Sequence, residues 1–187
     1  MIEFIQSHGL EYAGIATALL GIFCSIKQHK IAWIWNFIAS FIYGILFYQV
    51  GLYSDMELQG VFMAMAIYGF VQWNKTEQLL EVSQSSGVNL IIGTGGSVLF
   101  GVISGYLHHE ISNVSLPFLD ATLTGFSIWG TYLAAKKKIE NWLVWIFVDI
   151  LYIGVYIYKG MNGTALLYAV FLLLAFRGFY AWRKKLS

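Results

Sequence analysis

The stretch that decides the fold runs from Trp142 to Lys159 and reads WLVWIFVDILYIGVYIYK. It is almost entirely apolar or aromatic, and one carboxylate, that of Asp149, lies near its middle. Because a helix rises about 1.5 Å per residue, roughly twenty apolar residues cross the hydrocarbon core of a bilayer. The stretch therefore predicts a transmembrane helix with a charged residue near the membrane midplane.

Asp149 is the first candidate functional residue. A charge at the bilayer centre costs about 3 kcal/mol on insertion scales, so such a residue usually faces a cavity or a partner. Trp145, Asp149 and Tyr152 share one helix face because they follow at i, i+4 and i+7. A carboxylate flanked by aromatic rings can bind an organic cation, which is the function that we predict. The alternative is an aromatic packing stripe whose carboxylate bonds to neighbouring helices.

The composition is that of an integral membrane protein. Of the 187 residues, 58% are hydrophobic and only 11% are charged, whereas soluble domains carry about 25% charged residues. The formal net charge of +1 gives no indication of nucleic-acid binding, and a single cysteine, Cys24, excludes an intramolecular disulfide. The N-terminus lacks the basic segment of a cleaved signal peptide, so we expect the first span to act as the insertion signal.

Seven apolar stretches predict seven transmembrane helices in a single membrane domain of residues 1–187. The connectors between them are short and polar, and none could hold a separate domain. The only proline, Pro117, stands at the start of the fifth helix, where a missing N–H costs little. The predicted spans are Leu10–Ile26, Ile31–Val50, Met56–Trp73, Val88–Leu107, Phe118–Ala135, Trp142–Tyr158 and Thr164–Trp182.

The basic residues predict the orientation of these spans. Cytoplasmic loops of membrane proteins carry an excess of Lys and Arg. With seven crossings, all but two of the 11 Lys and Arg residues fall on one side, since Lys159 falls on the other and Arg177 lies within the last span. We therefore expect the N-terminus outside the cell and the C-terminus in the cytoplasm.

An internal repeat relates the first three helices to the last three at a shift of 109 residues, without a gap. The aligned identities include Trp33 with Trp142, Tyr43 with Tyr152, Gly51 with Gly160, Gly69 with Gly178 and Trp73 with Trp182. The sequence thus predicts two parallel three-helix repeats, residues 10–73 and 118–182, joined by an inverting linker helix, 88–107. Such 3+1+3 repeats place the substrate near the midplane between the halves.

The two repeats differ in chemistry at the expected lining positions. The differing pairs are Ser40 with Asp149, Asn36 with Trp145 and Gln59 with Tyr168. Asn36, Ser40 and Tyr43 share a helix face, and a buried amide offers both hydrogen-bond donors and acceptors. Such groups suit ribose hydroxyls, a carboxamide or an aminopyrimidine. The alternative is that they bond only across helices, which is worth about 0.6 kcal/mol per contact.

Two long segments resemble the PnuC family of bacterial vitamin transporters. One combines W-x-x-N-x-x-x-S-x-x-Y from Trp33 with GLYSDMELQ at 51–59 and YGFVQW at 68–73, and the other is residues 141–182. The resemblance covers Leu10 to Trp182 and implies an all-α fold of seven helices similar to the SWEET sugar transporters. It also implies uptake of nicotinamide riboside in most members, with thiamine or riboflavin in other branches, across the bacterial inner membrane.

The resemblance further implies facilitated diffusion with trapping of the vitamin by a cytoplasmic kinase. We predict alternating access, in which the two bundles rock about the bound vitamin. Asp149 would balance the positive charge, and the other predicted contacts are the rings of Trp129, Trp145, Tyr152, Tyr43 and Tyr168 and the polar groups of Asn36, Ser40 and Gln59. We expect no cofactor, metal or nucleic-acid partner, and we expect a homo-oligomer, with a trimer as one option.

Two other functional classes remain as alternatives. A membrane enzyme would need a nucleophile with a base, yet all four histidines lie outside the predicted spans. His108, His109 and Glu110 could hold a metal in the outer loop, although a solvated loop is the simpler interpretation. A non-transporting subunit of an ATP-driven importer would need no symmetric repeat. The chain has no GxxxxGK[ST] loop of its own for ATP.

Overall fold

The fold is helical in the computed structural model, which describes residues 2–49, 53–75, 80–111, 116–158 and 160–186. Seven helices follow one another, which are α1 (Ile2–Ile26), α2 (Ile31–Gln49), α3 (Tyr53–Trp73), α4 (Gly87–Ile111), α5 (Pro117–Ala135), α6 (Glu140–Tyr158) and α7 (Asn162–Arg183). In these ranges, extended segments pair only in one isolated β-bridge, between Ser83 and Lys138. The predicted all-α class and the number of helices are confirmed.

The helix ends lie within four residues of the predicted ones, except for the start of α1. α1 begins at Ile2, whereas the apolar stretch begins at Leu10. A helix can continue beyond the membrane surface because its hydrogen bonds are internal, so hydropathy locates the span but not the helix end. Val50, Gly51 and Lys159 lie outside the described residues, as do the side chains of His8, His108, His109 and Glu110.

Five of the described helices are long and apolar enough to cross a membrane. Their apolar segments are Gly9–Ile26, Ile31–Gln49, Gly87–Leu107, Glu140–Tyr158 and Asn162–Arg183. α3 and α5 have sufficient length, 21 and 19 residues, but carry more polar side chains, among them Asp55, Glu57 and Gln59 on α3 and Asp120 and Thr122 on α5. The chain is therefore a multi-pass membrane protein, and these five helices are its candidate spans.

The chain divides into two compact units, and the first comprises Met1–Leu80. Within it α1 packs on α2, and α2 packs on α3. Trp33 of α2 lies directly against Gly69 of α3, where an added Cβ would overlap the indole ring. Trp73 meets Trp33 edge-on, with ring centroids 5.5 Å apart and an interplanar angle of 89°. Gly69 is therefore required by a close helix contact, as small residues commonly are in membrane proteins.

The second unit, Glu81–Ser187, packs α4 on α5, α5 on α6 and α6 on α7. Trp142 of α6 lies against Gly178 of α7, where an added Cβ would come within 2.6 Å of the ring. Trp182 meets Trp142 edge-on at 5.4 Å and 90°. This contact reproduces that of the first unit at a shift of 109 residues. In both units the buried Nε1 of the first tryptophan has no hydrogen-bond partner among the described residues.

The loop after the first helix of each predicted repeat also recurs. Gln28 and Lys137 both adopt the left-handed conformation, with φ of 58° and 49°. In each loop the next amide donates to a carbonyl five residues earlier, at 2.9 Å in the first unit and 2.8 Å in the second. This is the Schellman termination of a helix, which usually has glycine at the left-handed position. The same non-glycine geometry thus ends α1 and α5.

Lys137 stands in this second loop, outside the membrane-spanning segments, and its electrostatic environment is unfavourable. Burial lowers the pKa of Lys137, and the positive charge of Lys185 lowers that pKa further. Loss of hydration disfavours the charged form of an amine, and a neighbouring cation does the same. The end of α5 and the end of α7 therefore bring two like charges close together.

Candidate functional site

Asp149 is the middle residue of α6 and is only 3% exposed. It is the only charged side chain among the buried residues that the structure describes. Within the described ranges no salt bridge or hydrogen bond compensates its carboxylate. Burial of an unpaired charge is costly.

A cluster of three tyrosines lies beside Asp149, and we call Tyr152, Tyr156 and Tyr168 the tyrosine cluster. The ring centroids of Tyr152 and Tyr168 are 4.8 Å apart, and those of Tyr156 and Tyr168 are 5.2 Å apart. Tyr152 and Tyr156 stack at 5.8 Å on successive turns of α6. Tyr168, on α7, shares a hydrogen bond with Tyr156 and lies within electrostatic range of Asp149. The cluster thus combines electron-rich rings with one carboxylate.

The two predicted tryptophans of the second unit pack against its apolar core. That core consists of Leu123, Phe126, Leu133, Val144 and Val148, and Trp129, Trp145 and Tyr152 are half-buried against it. Trp145 approaches Gly130, where an added Cβ would lie 3.4 Å from its Nε1. Trp129 lies so close to Gly93 of α4 that an added Cβ would overlap the indole. Trp145 therefore accompanies Asp149 on α6, whereas Trp129 is held between α4 and α5.

The predicted residues of the first unit lie on α2 and α3. Ser40 is buried, with 8% exposed, and Asn36, Tyr43 and Gln59 are half-buried. The amide oxygen of Asn36 lies against Gly21 of α1, where no Cβ would fit. Close contact with α1 therefore fixes the amide of Asn36. In this unit the predicted polar groups are two amides and a hydroxyl, and none carries a charge.

The two units differ chemically at one pair of stacked rings that the repeat relates. Tyr43 stacks on Phe47 at 6.1 Å and 28°, and the same stacking recurs between Tyr152 and Tyr156 at 5.8 Å and 24°. Only the second unit adds a hydroxyl on the second ring of this pair. Sequence reasoning missed Tyr156, although its spacing of four residues from Tyr152 would have placed it on the same helix face.

A metal centre is not formed by the described residues. No group of three or more His, Cys, Asp or Glu side chains comes together in that part of the chain. Glu11, on α1, and Asp120, in the first turn of α5, are exposed. The chemistry that the described site offers is therefore charge, ring stacking and hydrogen bonding.

The known proteins that this chain matches are described as transporters. The family described as nicotinamide mononucleotide transporter matches residues 8–184. The nicotinamide riboside transporter PnuC of Escherichia coli strain K12 is 22% identical over 201 residues, covering 92% of this chain and 84% of the relative. The PnuC of Neisseria mucosa is 27% identical over 186 residues, covering 89% and 70%.

A solved structure, described as the crystal structure of the vitamin B3 transporter PnuC, has a TM-score of 0.76 to this chain. The two are 21% identical, and the match covers 97% of this chain and 83% of the other. At that identity the comparison shows a shared fold.

Proposed function

Because the chain belongs to the nicotinamide mononucleotide transporter family, we propose that it carries nicotinamide riboside across the bacterial cytoplasmic membrane. The match confirms the resemblance to PnuC that the sequence indicates. The curated relatives are named as transporters and not as enzymes, which removes the membrane-enzyme alternative.

The observation that carries the proposal is the buried carboxylate of Asp149 beside the tyrosine cluster. Nicotinamide riboside has a permanent positive charge on a flat pyridinium ring. A carboxylate balances that charge, and tyrosine rings add cation–π contacts. The binding of the substrate would then provide the counter-charge that Asp149 lacks among the described residues.

Charge also favours the riboside over its phosphorylated form. Nicotinamide mononucleotide carries a phosphate, which is usually bound by Arg, Lys or a helix N-terminus. Among the described residues, the only basic side chain well inside a span is Arg177, on α7, and it is exposed. A site that offers Asp149 and phenols therefore suits an uncharged ribose better than a phosphate.

The first unit would bind the polar part of the vitamin. Asn36 and Gln59 present amides, and Ser40 presents a hydroxyl at the position equivalent to Asp149. Amides match a carboxamide in both donor and acceptor, and both types of group match ribose hydroxyls.

We further propose that all seven helices span the membrane as two parallel three-helix repeats, with the N-terminus outside. The recurring contact between tryptophan and glycine supports the repeat, and the distribution of lysines supports the orientation. Transport would follow by alternating access, driven by the substrate gradient and by phosphorylation in the cytoplasm. A homo-oligomer, with a trimer as one candidate, completes the proposal.

Thiamine is the second candidate substrate, because its thiazolium ring is also a flat aromatic cation. Riboflavin is uncharged at neutral pH and would make no use of Asp149. The test is calorimetric titration of the purified protein with nicotinamide riboside, thiamine, riboflavin and nicotinamide mononucleotide. We expect saturable binding of nicotinamide riboside and at least tenfold weaker binding of the others. Tighter binding of thiamine would make thiamine the proposed substrate. Absence of binding with all four compounds would refute the vitamin proposal.

A further inference from the structure

The connector before α4, residues 81–86, is hydrogen-bonded to the loop between α5 and α6. We call this connector the strap. Its backbone pairs with the loop, since the amide of Ser83 donates to the carbonyl of Lys137 at 3.1 Å. The amide of Ile139 donates back to the carbonyl of Ser83 at 3.0 Å. Val82 and Ile139 are each only 4% exposed. The strap and the loop therefore each bury one apolar side chain.

Side chains strengthen this attachment at two points. The ammonium group of Lys138 donates to the hydroxyl of Ser83 at 2.9 Å and to the carbonyl of Gln84 at 3.1 Å. The amide of Ser85 donates to both carboxylate oxygens of Glu140, each at 3.0 Å. Hydrogen bonds with one charged partner are stronger than neutral ones. Glu140 also lies in the first turn of α6, where a negative charge is favourable.

The strap continues directly into α4. The hydroxyl of Ser86 accepts a hydrogen bond from the amide of Asn89 at 3.3 Å, and its carbonyl accepts one from Leu90 at 3.1 Å. Ser86 thus caps the helix that follows. One short segment therefore joins the start of α4 to the start of α6, the helix that carries Asp149.

This attachment is not part of the internal repeat. The loop after α1 has the same backbone geometry as the loop after α5. However, His29 stands where Lys138 does, and Ile31 stands where Glu140 does. Neither can reproduce the charged contacts to a strap. The described loop after α1 therefore has no equivalent of these charged contacts, and the boundary between the units falls immediately before the strap, after Leu80.

We propose that the strap remains fastened throughout the transport cycle, so that the starts of α4 and α6 move as one body. The inference rests on the proposed carrier function, because it concerns what moves during transport. Its physical basis is the density of contacts on six residues: backbone pairing, hydrogen bonds from two charged side chains, and one buried apolar side chain on each side. A segment that had to open in every cycle would lose all of these contacts together.

A reversible cross-link tests the proposal. In a Cys24→Ser background, Ser83→Cys and Lys138→Cys place two thiols on paired residues, whose Cα atoms lie about 5 Å apart in β pairing, within disulfide range. After oxidation with copper phenanthroline we expect complete cross-linking and a change of less than twofold in the initial rate of nicotinamide riboside uptake. The two single-cysteine variants, oxidised in the same way, control for damage by the oxidant.

Two outcomes would overturn the proposal. One is a tenfold or greater loss of uptake on oxidation that dithiothreitol restores, because a locked strap would then block the cycle. The other is failure of the two thiols to cross-link. Amide hydrogen exchange on the unmodified protein gives a second measurement, in which the amides of Ser83, Ser85 and Ile139 should stay equally protected with and without nicotinamide riboside. Loss of protection on adding the vitamin would also refute permanent attachment.

The proposed function and the strap can fail separately. If the reduced protein takes up no nicotinamide riboside, the carrier proposal fails, while cross-linking and hydrogen exchange still report whether the strap is attached. If the reduced protein transports normally and the oxidised protein does not, only the strap proposal fails.

Discussion

Replacing Asp149 with asparagine should weaken the binding of a cationic vitamin while stabilising the protein. Asparagine has nearly the same shape as aspartate but no charge, so packing on α6 is kept. Asp149 is 3% exposed and has no ionic partner among the described residues. Burying this group without a cation, whether it is ionised or protonated, therefore costs folding free energy in the empty protein at neutral pH. The same charge is available to a cation in the loaded protein.

The magnitude of the binding effect follows from Coulomb's law. Two unit charges about 4 Å apart interact by roughly 4 kcal/mol at an effective dielectric constant of about 20. Desolvation of both groups removes part of this, which leaves about 2 kcal/mol. Since about 1.4 kcal/mol corresponds to a factor of ten, we expect Asp149→Asn to raise the Kd for nicotinamide riboside about 30-fold.

Two ligands and one control variant isolate the charge. Calorimetry would compare nicotinamide riboside with its reduced dihydro form, which has nearly the same shape but a neutral, non-aromatic ring. The dihydro form should bind both proteins within about threefold. Asp120→Asn, at an exposed carboxylate on α5, should leave both affinities unchanged, although it removes a favourable charge from the first turn of that helix.

Thermal unfolding provides the second half of this prediction. The melting temperature of Asp149→Asn should rise in the absence of ligand, because a buried unpaired charge is removed. Equal losses of affinity for the charged and the reduced ligand would refute the assigned role of Asp149. A lower melting temperature together with weaker binding would show that the carboxylate supports the fold instead.

Three further predictions concern packing, the tyrosine cluster and a loop lysine. Gly178→Ala should cost about 1–3 kcal/mol of stability because the new methyl group would overlap an indole ring. Gly163→Ala, where no atom lies within 4 Å of the added Cβ, should leave the stability unchanged. Equal melting temperatures of the two variants would contradict the contact. Tyr156→Phe should weaken nicotinamide riboside binding about two- to tenfold through loss of one hydrogen bond. The control variant Tyr158→Phe changes a ring that is 78% exposed, and it should bind nicotinamide riboside as the unmodified protein does. Because burial lowers the pKa of Lys137 below its ordinary 10.5, the unfolded chain holds more protons between these two values and stability rises with pH there. Lys137→Gln should therefore melt higher than the unmodified protein at pH 7 and lose that advantage as the pH approaches 10.5; a constant difference across this range would refute the assignment.

The helices could be predicted from the sequence because membrane spans have a simple physical requirement. Each needs about twenty apolar residues, and the polar connectors mark where one ends. The predicted start at Leu10 is different from the actual start of α1 because hydropathy reports burial in lipid and not helix formation. α3 and α5 are not among the five apolar spans because polar side chains, including Asp55 and Asp120 in their first turns, lower their hydropathy.

The site could be predicted only in part. Asp149 is visible in the sequence because a carboxylate inside an apolar run is rare. Tyr156 was not singled out, because tyrosines are abundant and its hydrogen bond is to Tyr168, on another helix. The strap was missed as well, because a polar connector has no periodicity and its partner, Lys138, lies more than fifty residues away along the chain.

The measurement that tests the account most directly is uptake of labelled nicotinamide riboside into proteoliposomes that contain only this protein. We predict saturable entry that stops when the internal concentration equals the external one. We also predict faster entry when unlabelled nicotinamide riboside is preloaded, because a carrier returns sooner when occupied. Entry no faster than into protein-free vesicles would contradict transport by this chain. Accumulation well above the external concentration under an ion gradient would contradict facilitated diffusion.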